Sequence, residues 1–229
     1  MDKSELEGWL KASRDTAIAR LTLDADWWPM TAGTAEAEAS AWALAFFLLA
    51  AQNRCSGAAL TAACSASVAT KPMSAAMVAS LWTANAARQH QEEQVLVDFS
   101  VHNWDASSPI QLTGESETNA SQRVDDSLTA NSYSWDFYKL LVIPSATRLF
   151  FARVGGHGRV SAEDRCDQLG KTLVELVDWY GPALLRPHDE LGAIVTPSAK
   201  RQRNRSLVLW LDRGRLRKDT MTADLLGAP

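Results

Sequence analysis

Val95-Leu96-Val97-Asp98-Phe99-Ser100 and, after one turn segment, Ile110-Gln111-Leu112-Thr113-Gly114-Glu115-Ser116-Glu117 decide the fold, because both alternate in the period-two manner of strands. In the first, Val95, Val97 and Phe99 share one face and Leu96, Asp98 and Ser100 the other. In the second, Ile110 and Leu112 oppose Gln111, Thr113, Glu115 and Glu117, with a turn at Asn103 to Pro109 between the two strands.

The period is helical on either side of this pair. Upstream, Met73, Met77, Leu81 and Ala84 recur at helical spacing from Pro72 to Arg88, and polar Gln89 to Gln94 close that helix. Downstream, polar Thr118 to Asn131 reads as a loop, Tyr133 to Ile143 as an apolar helix stopped by Pro144, and Arg148 to Val154 as a strand. Ser161 and Asp164 open an amphipathic helix carrying Leu169, Leu173, Leu176, Val177 and Tyr180, ended by Gly181-Pro182; strands follow at Leu191 to Thr196 and Ser206 to Leu211. Helix, strand, strand, helix, strand, helix, strand, strand predicts an α/β fold, a mixed central sheet flanked by helices.

Residues 1–70 read differently and are set apart as an N-terminal helical region, with 71–229 as the α/β core and its basic C-terminal hairpin. The first helix starts at Ser4, with Glu7 completing a capping box, and runs towards Leu21. A turn at Asp26 to Gly33 leads to a second helix from Ala35 to Gln52, and Cys55 to Thr70 reads as a packed helix or a connector. These two helices are where a homodimer or protein partner is expected to dock.

Composition narrows the class. The chain has 229 residues, 46% apolar and 22% charged, which is ordinary globular usage; nine Trp against three Tyr is not. Cys55, Cys64 and Cys166 form no C-x-x-C pair and leave an odd thiol, which fits a reducing cytoplasm better than a disulfide framework or zinc site. The uncharged run Ala39 to Asn53 is short of a membrane span and reads as a buried or partner-facing helix. Net charge is −4, yet Ala199 to Lys218 carries eight Lys or Arg against Asp212 alone. There Lys200, Arg201, Arg203, Arg205, Arg213 and Arg215 are the candidates for holding a nucleic-acid backbone. The alternative is a charged hairpin guarding a sheet edge.

Asp98, Glu115 and Glu117 stand on neighbouring strands, and carboxylates at strand ends suit Mg²⁺, which takes one or two of them with waters and substrate phosphate. Lys139 is the one cation in the apolar helix Trp135 to Ile143 and needs an anionic partner. Glu115 and Glu117 also suit the solvated face of an edge strand, and Lys139 also suits a snorkelling side chain or a partner for Asp136. Asp98 within Val-Leu-Val-Asp-Phe is harder to place without a function. Gly155-Gly156-His157-Gly158 suits a glycine turn better than a phosphate cradle, His102 and His157 lack a nucleophile elbow, and Trp27-Trp28 reads as a hydrophobic anchor rather than a base-stacking pair.

An acid on one strand, Glu-x-Glu on the next, a helix with Asp-Phe-Tyr-Lys-Leu-Leu and a further apolar strand resemble the restriction-endonuclease-like, or PD-(D/E)xK, nuclease superfamily. The resemblance covers about Met73 to Leu211 in element order and rests on four residues. It implies a restriction-endonuclease-like core, a nuclease cleaving DNA in the first place, and Mg²⁺ or Mn²⁺ held by Asp98 and Glu115. Glu117 stands where the family has its lysine, so Lys139 is the lysine supplied from the following helix. A nuclease-fold scaffold without chemistry, acting as an interaction or regulatory protein, is the alternative.

Overall fold

The computed structural model describes residues 1–21, 32–55, 60–64, 88–90, 97–103, 110–129, 132–198 and 206–221. Among these, helices α1 (Lys3–Leu21), α2 (Ala32–Arg54), α3 (Tyr133–Val142) and α4 (Ala162–Leu184) accompany eight strands. The strands are β1 (Leu60–Cys64), β2 (Arg88–His90), β3 (Phe99–Asn103), β4 (Ile110–Glu117), β5 (Thr147–Val154), β6 (Glu190–Pro197), β7 (Leu207–Asp212) and β8 (Arg215–Thr220). They form one mixed sheet in the order β2-β1-β3-β4-β5-β6-β7-β8. β4, β5 and β6 run parallel, joined by α3 and α4 as crossovers, whereas β3 is antiparallel to both β1 and β4. The protein is thus α/β, with a mixed sheet between two helical layers.

Each face of the sheet has its own core. On one, Leu6 and Leu10 of α1 and Trp42, Phe46 and Phe47 of α2 pack on Phe99, Leu112, Phe151, Ile194 and Val208. On the other, Phe137 and Leu141 of α3 and Leu169, Leu173 and Leu176 of α4 pack on Phe150, Ala152, Ala193, Val195 and Leu209. Alternation along β5 feeds both cores, so all eight of its residues are buried, as expected for a central parallel strand. The N-terminal helices therefore cover the sheet. The apolar run of α2 is buried, and no helix among the described residues is long and apolar enough to cross a membrane.

Several local readings change. Helix α1 is capped by Asp2 rather than Ser4, the Asp2 carboxylate accepting the Glu5 N–H at 3.0 Å. Gly33, read as part of a turn, lies in α2. Leu60–Cys64, within the segment read as helix or connector, is a strand whose ladder runs from Leu60 opposite Asn103 to Cys64 opposite Phe99. Arg88–His90, read as the close of a helix, pairs in parallel with β1; the rest of that helix lies outside the described residues, as do Trp27 and Trp28. Helix α4 continues past Gly181-Pro182 to Leu184, because Tyr180, Leu184 and Leu185 pack on the core and outweigh the hydrogen bond lost at Pro182. Gly158 does form a turn, with φ +59°, closed by reciprocal His157–Val160 backbone bonds of 3.0 Å.

Gly114 sits where β4 passes beneath α2. A Cβ there would stand 2.9 Å from the Phe47 ring, which is buried and stacked on Phe99. Gly114→Ala is expected to destabilise the protein by about 1–3 kcal/mol through overpacking. Urea denaturation checks this; an unchanged midpoint would show that Phe47 yields.

Candidate active site

The alternation of β4 turns Leu112 and Gly114 towards α2, and Thr113, Glu115 and Glu117 towards α3. Glu115 lies deep, 3% exposed, near the carboxyl end of the strand. Asp98 arrives beside it from the residue before β3. It is not in the strand, which begins at Phe99, while Val95 and Leu96 lie outside the described residues: the Asp98 N–H bonds the Glu115 carboxylate at 3.0 Å. In return the Asp98 carboxylate accepts the N–H and the hydroxyl of Ser116, each at 2.9 Å. These side-chain bonds to backbone groups replace the first rungs of a ladder.

Helix α3 supplies the opposite wall. Ser132 caps it by accepting the Trp135 N–H at 3.2 Å, and Phe137, Leu140 and Leu141 seat it on the sheet. Asp136 and Lys139, one turn apart, then flank the buried face and meet β4. The Lys139 ammonium touches Glu115 and bonds Asp136 at 2.9 Å. Glu117 accepts the Asn119 N–H at 2.6 Å and the Gln122 amide at 3.0 Å. Asp98, Glu115, Glu117, Asp136 and Lys139 line one open cleft of about 400 Å³, with Ser40 of α2 at its other side.

Crowding four carboxyl groups around one ammonium in a partly dry cleft shows in their protonation. Burial pushes Glu115 up to about 8, the Asp98 charge adding to the rise and Lys139 opposing it. Burial pushes Glu117 to about 7 against the Asn119 N–H, and the facing Asp136 carboxyl raises it further. Asp136 is also raised, chiefly by burial, although Lys139 opposes this. Burial works against the Lys139 charge, but Glu115 and Asp136 outweigh it and hold the ammonium above its ordinary value.

The loop after β4 is anchored from behind. Arg165, 6% exposed, donates to the Gly155 carbonyl and to those of Ala120 at 3.3 Å and Gln122 at 2.5 Å. Arg153 holds the Thr118 carbonyl at 3.1 Å, and the Tyr133 hydroxyl lies 3.1 Å from that of Asn119. With their carbonyls drawn back, Asn119 and Gln122 turn donors to Glu117.

All four residues singled out for chemistry, Asp98, Glu115, Glu117 and Lys139, thus meet in one place. Asp136 was read only as a competing partner for Lys139; it binds Lys139 while Glu115 does too, and is a fourth carboxyl of the cleft. Among the basic candidates, Lys200, Arg201, Arg203 and Arg205 lie outside the described residues. Arg213 and Arg215 are not at the cleft. They form the tip of the β7–β8 hairpin, level with the start of β6 and so at the opposite sheet edge from Glu117. Strand β8 is also four strands from β4, about 19 Å at ordinary spacing. Arg213 and Gly214, with φ of 51° and 78°, make the two-residue turn there.

Compared with protein-family models, curated proteins and solved structures, the chain matches none of them.

Proposed function

We propose that this protein is a divalent-metal-dependent nuclease with a restriction-endonuclease-like core, hydrolysing phosphodiester bonds of nucleic acid, DNA in the first place, at the cleft beside β4. One observation carries the proposal: Asp98 from the segment before β3, Glu115 from β4 and Lys139 from α3 line the same open space. The order of acid, Glu-x-Glu strand, lysine-bearing helix and apolar parallel strand supports it further.

The donor set fits Mg²⁺ or Mn²⁺. It consists of hard carboxylate oxygens, and carboxyls raised by burial and by mutual repulsion gain most from a dication. Asp98 and Glu115 would hold it; when bound, it supplies hydroxide near neutral pH and offsets charge on the leaving oxygen. Glu117 keeps the Asn119 and Gln122 loop in place and orients the water side of the cleft. Lys139 would donate to a phosphate oxygen as charge gathers there.

A specific feature favours a second reading, the scaffold without chemistry. Both Glu115 oxygens and both Glu117 oxygens are taken up by protein donors. Among the described residues, no three His, Cys, Asp or Glu are grouped to hold a metal ion as they stand. Labelled DNA and RNA offered with Mg²⁺ or Mn²⁺ separate the two. Cleavage is expected that EDTA stops and Asp98→Ala removes; equal activity in the wild type, Asp98→Ala and Lys139→Ala rejects the site.

A further inference from the structure

Helix α3, which bears Asp136 and Lys139 of the cleft, also carries an aromatic pair that hydrolysis does not use. Trp135 precedes Asp136 on α3 and lies one helical turn before Lys139, so its Cβ stands roughly 6 Å from that of Lys139. Its indole is 36% exposed, whereas Phe137, Leu140 and Leu141 carry the packing of the helix. It is also braced. Tyr138 lies against it with ring centroids 6.3 Å apart and planes 30° from parallel, and Tyr180 of α4 meets Tyr138 edge-on at 5.0 Å. An indole backed by Tyr138, about one-third exposed and beside the Lys139 ammonium is what a flat aromatic ligand needs, since little side-chain entropy remains to be lost when it stacks.

Resting on the nuclease reading above, we infer that Trp135 is the stacking platform for an unpaired nucleobase next to the scissile phosphate, and that the substrate is accordingly single-stranded. A paired base inside a duplex has both faces covered by its neighbours and cannot present one to a fixed ring without first being extruded. A single strand offers its bases at no such cost, and stacking on an aromatic side chain accepts any base. Lys139 then takes the adjoining phosphate, so one face of α3 reads both parts of the nucleotide. The acidic cleft needs its dication for this, which makes binding metal-dependent.

The test uses the full chain as wild type, Trp135→Ala and Trp135→Phe. Fluorescence anisotropy in Ca²⁺ measures binding of an oligothymidylate, the same strand in duplex with oligoadenylate, and an abasic oligonucleotide of equal length; cleavage is followed separately in Mg²⁺. Trp135→Ala is expected to bind the oligothymidylate roughly ten-fold more weakly, with Trp135→Phe recovering most of the loss. Abasic and duplex strands should bind equally to all three proteins. Unchanged oligothymidylate affinity in Trp135→Ala, or an equal loss on the abasic strand, overturns the stacking role; if the wild type still cleaves, the nuclease reading stands without it. No binding and no cleavage of any probe overturns that reading, and this inference with it.

Discussion

Lys139→Met should cut metal-dependent hydrolysis by about 10²- to 10³-fold, the usual cost of losing a donor aimed at charge that develops in the transition state. The substitution should leave the fold standing. Methionine covers the lysine stem, and the side chain is one-fifth exposed at the cleft, so no cavity forms. Glu115 loses its cation but need not stay charged, because its carboxyl already titrates at about 8 and takes up a proton at neutral pH. Metal affinity distinguishes a chemical role for Lys139 from mere charge balance. Lys139 competes with any cation for Glu115, so at a pH high enough to ionise Glu115 in both proteins Lys139→Met should bind Mg²⁺ or Mn²⁺ at least as tightly as the wild type while failing to cleave. Lys139→Arg should recover little, since a planar fork does not fit where a compact ammonium touches Glu115 and Asp136 together. Single-turnover cleavage and metal titration by calorimetry give the two numbers. Cleavage within about three-fold of wild type, or loss of metal binding together with activity, would remove Lys139 from the proposed chemistry.

The parts of this site legible in sequence were those that follow from period. Ile110 to Glu117 alternates so regularly that its two faces, and hence the direction of Glu115 and Glu117, needed no structure. Asp98 stood out as a carboxylate in an apolar run and does belong to the cleft, yet it sits before the strand, because its N–H is taken by Glu115, a partner 17 residues away. Such a bond leaves no trace in local pattern. Asp136 was visible as a neighbour of Lys139, but spacing along a helix tells only that two side chains can meet, not that a third from another strand meets them too. The Leu60–Cys64 strand had no signature at all: a run of small residues takes its conformation from the strands beside it. Counting charges likewise locates them only along the chain, whereas the order of the sheet put the two described ones, Arg213 in the β7–β8 turn and Arg215 at the start of β8, at its far corner, where charge deters pairing with other chains.

The same raised carboxyls dictate an unusual response of stability to pH. Glu115 and Glu117 titrate at about 8 and about 7 in the fold, against 4.5 when exposed, so between those values the folded chain holds more protons than the unfolded one. Stability then falls as pH rises through this window, opposite to a carboxylate held by an ion pair, and levels off above the folded values. Lys139 does not reverse the trend, because its own raised titration lies above the window. For Glu115 alone the loss is on the order of 3–5 kcal/mol, most of it between pH 5 and 8.5. In metal-free buffer the melting temperature should therefore drop across that range by roughly 6–20 °C for a domain of this size. A dication changes the sign of the problem. It binds the ionised carboxylates and not the protonated ones, so at 100 times its dissociation constant it adds about 2.7 kcal/mol at pH 8.5 and much less at pH 5.5. Scanning calorimetry with EDTA and with Mg²⁺ should give two curves that converge in acid and separate in base. Glu115→Gln should flatten the metal-free curve, making the variant more stable than wild type at pH 9, and should shrink the response to Mg²⁺. Stability that climbs from pH 5 to 8 without metal would mean that Glu115 is ionised throughout and its ion pair with Lys139 complete. An equal Mg²⁺ shift at both pH values would place the ion away from these carboxylates.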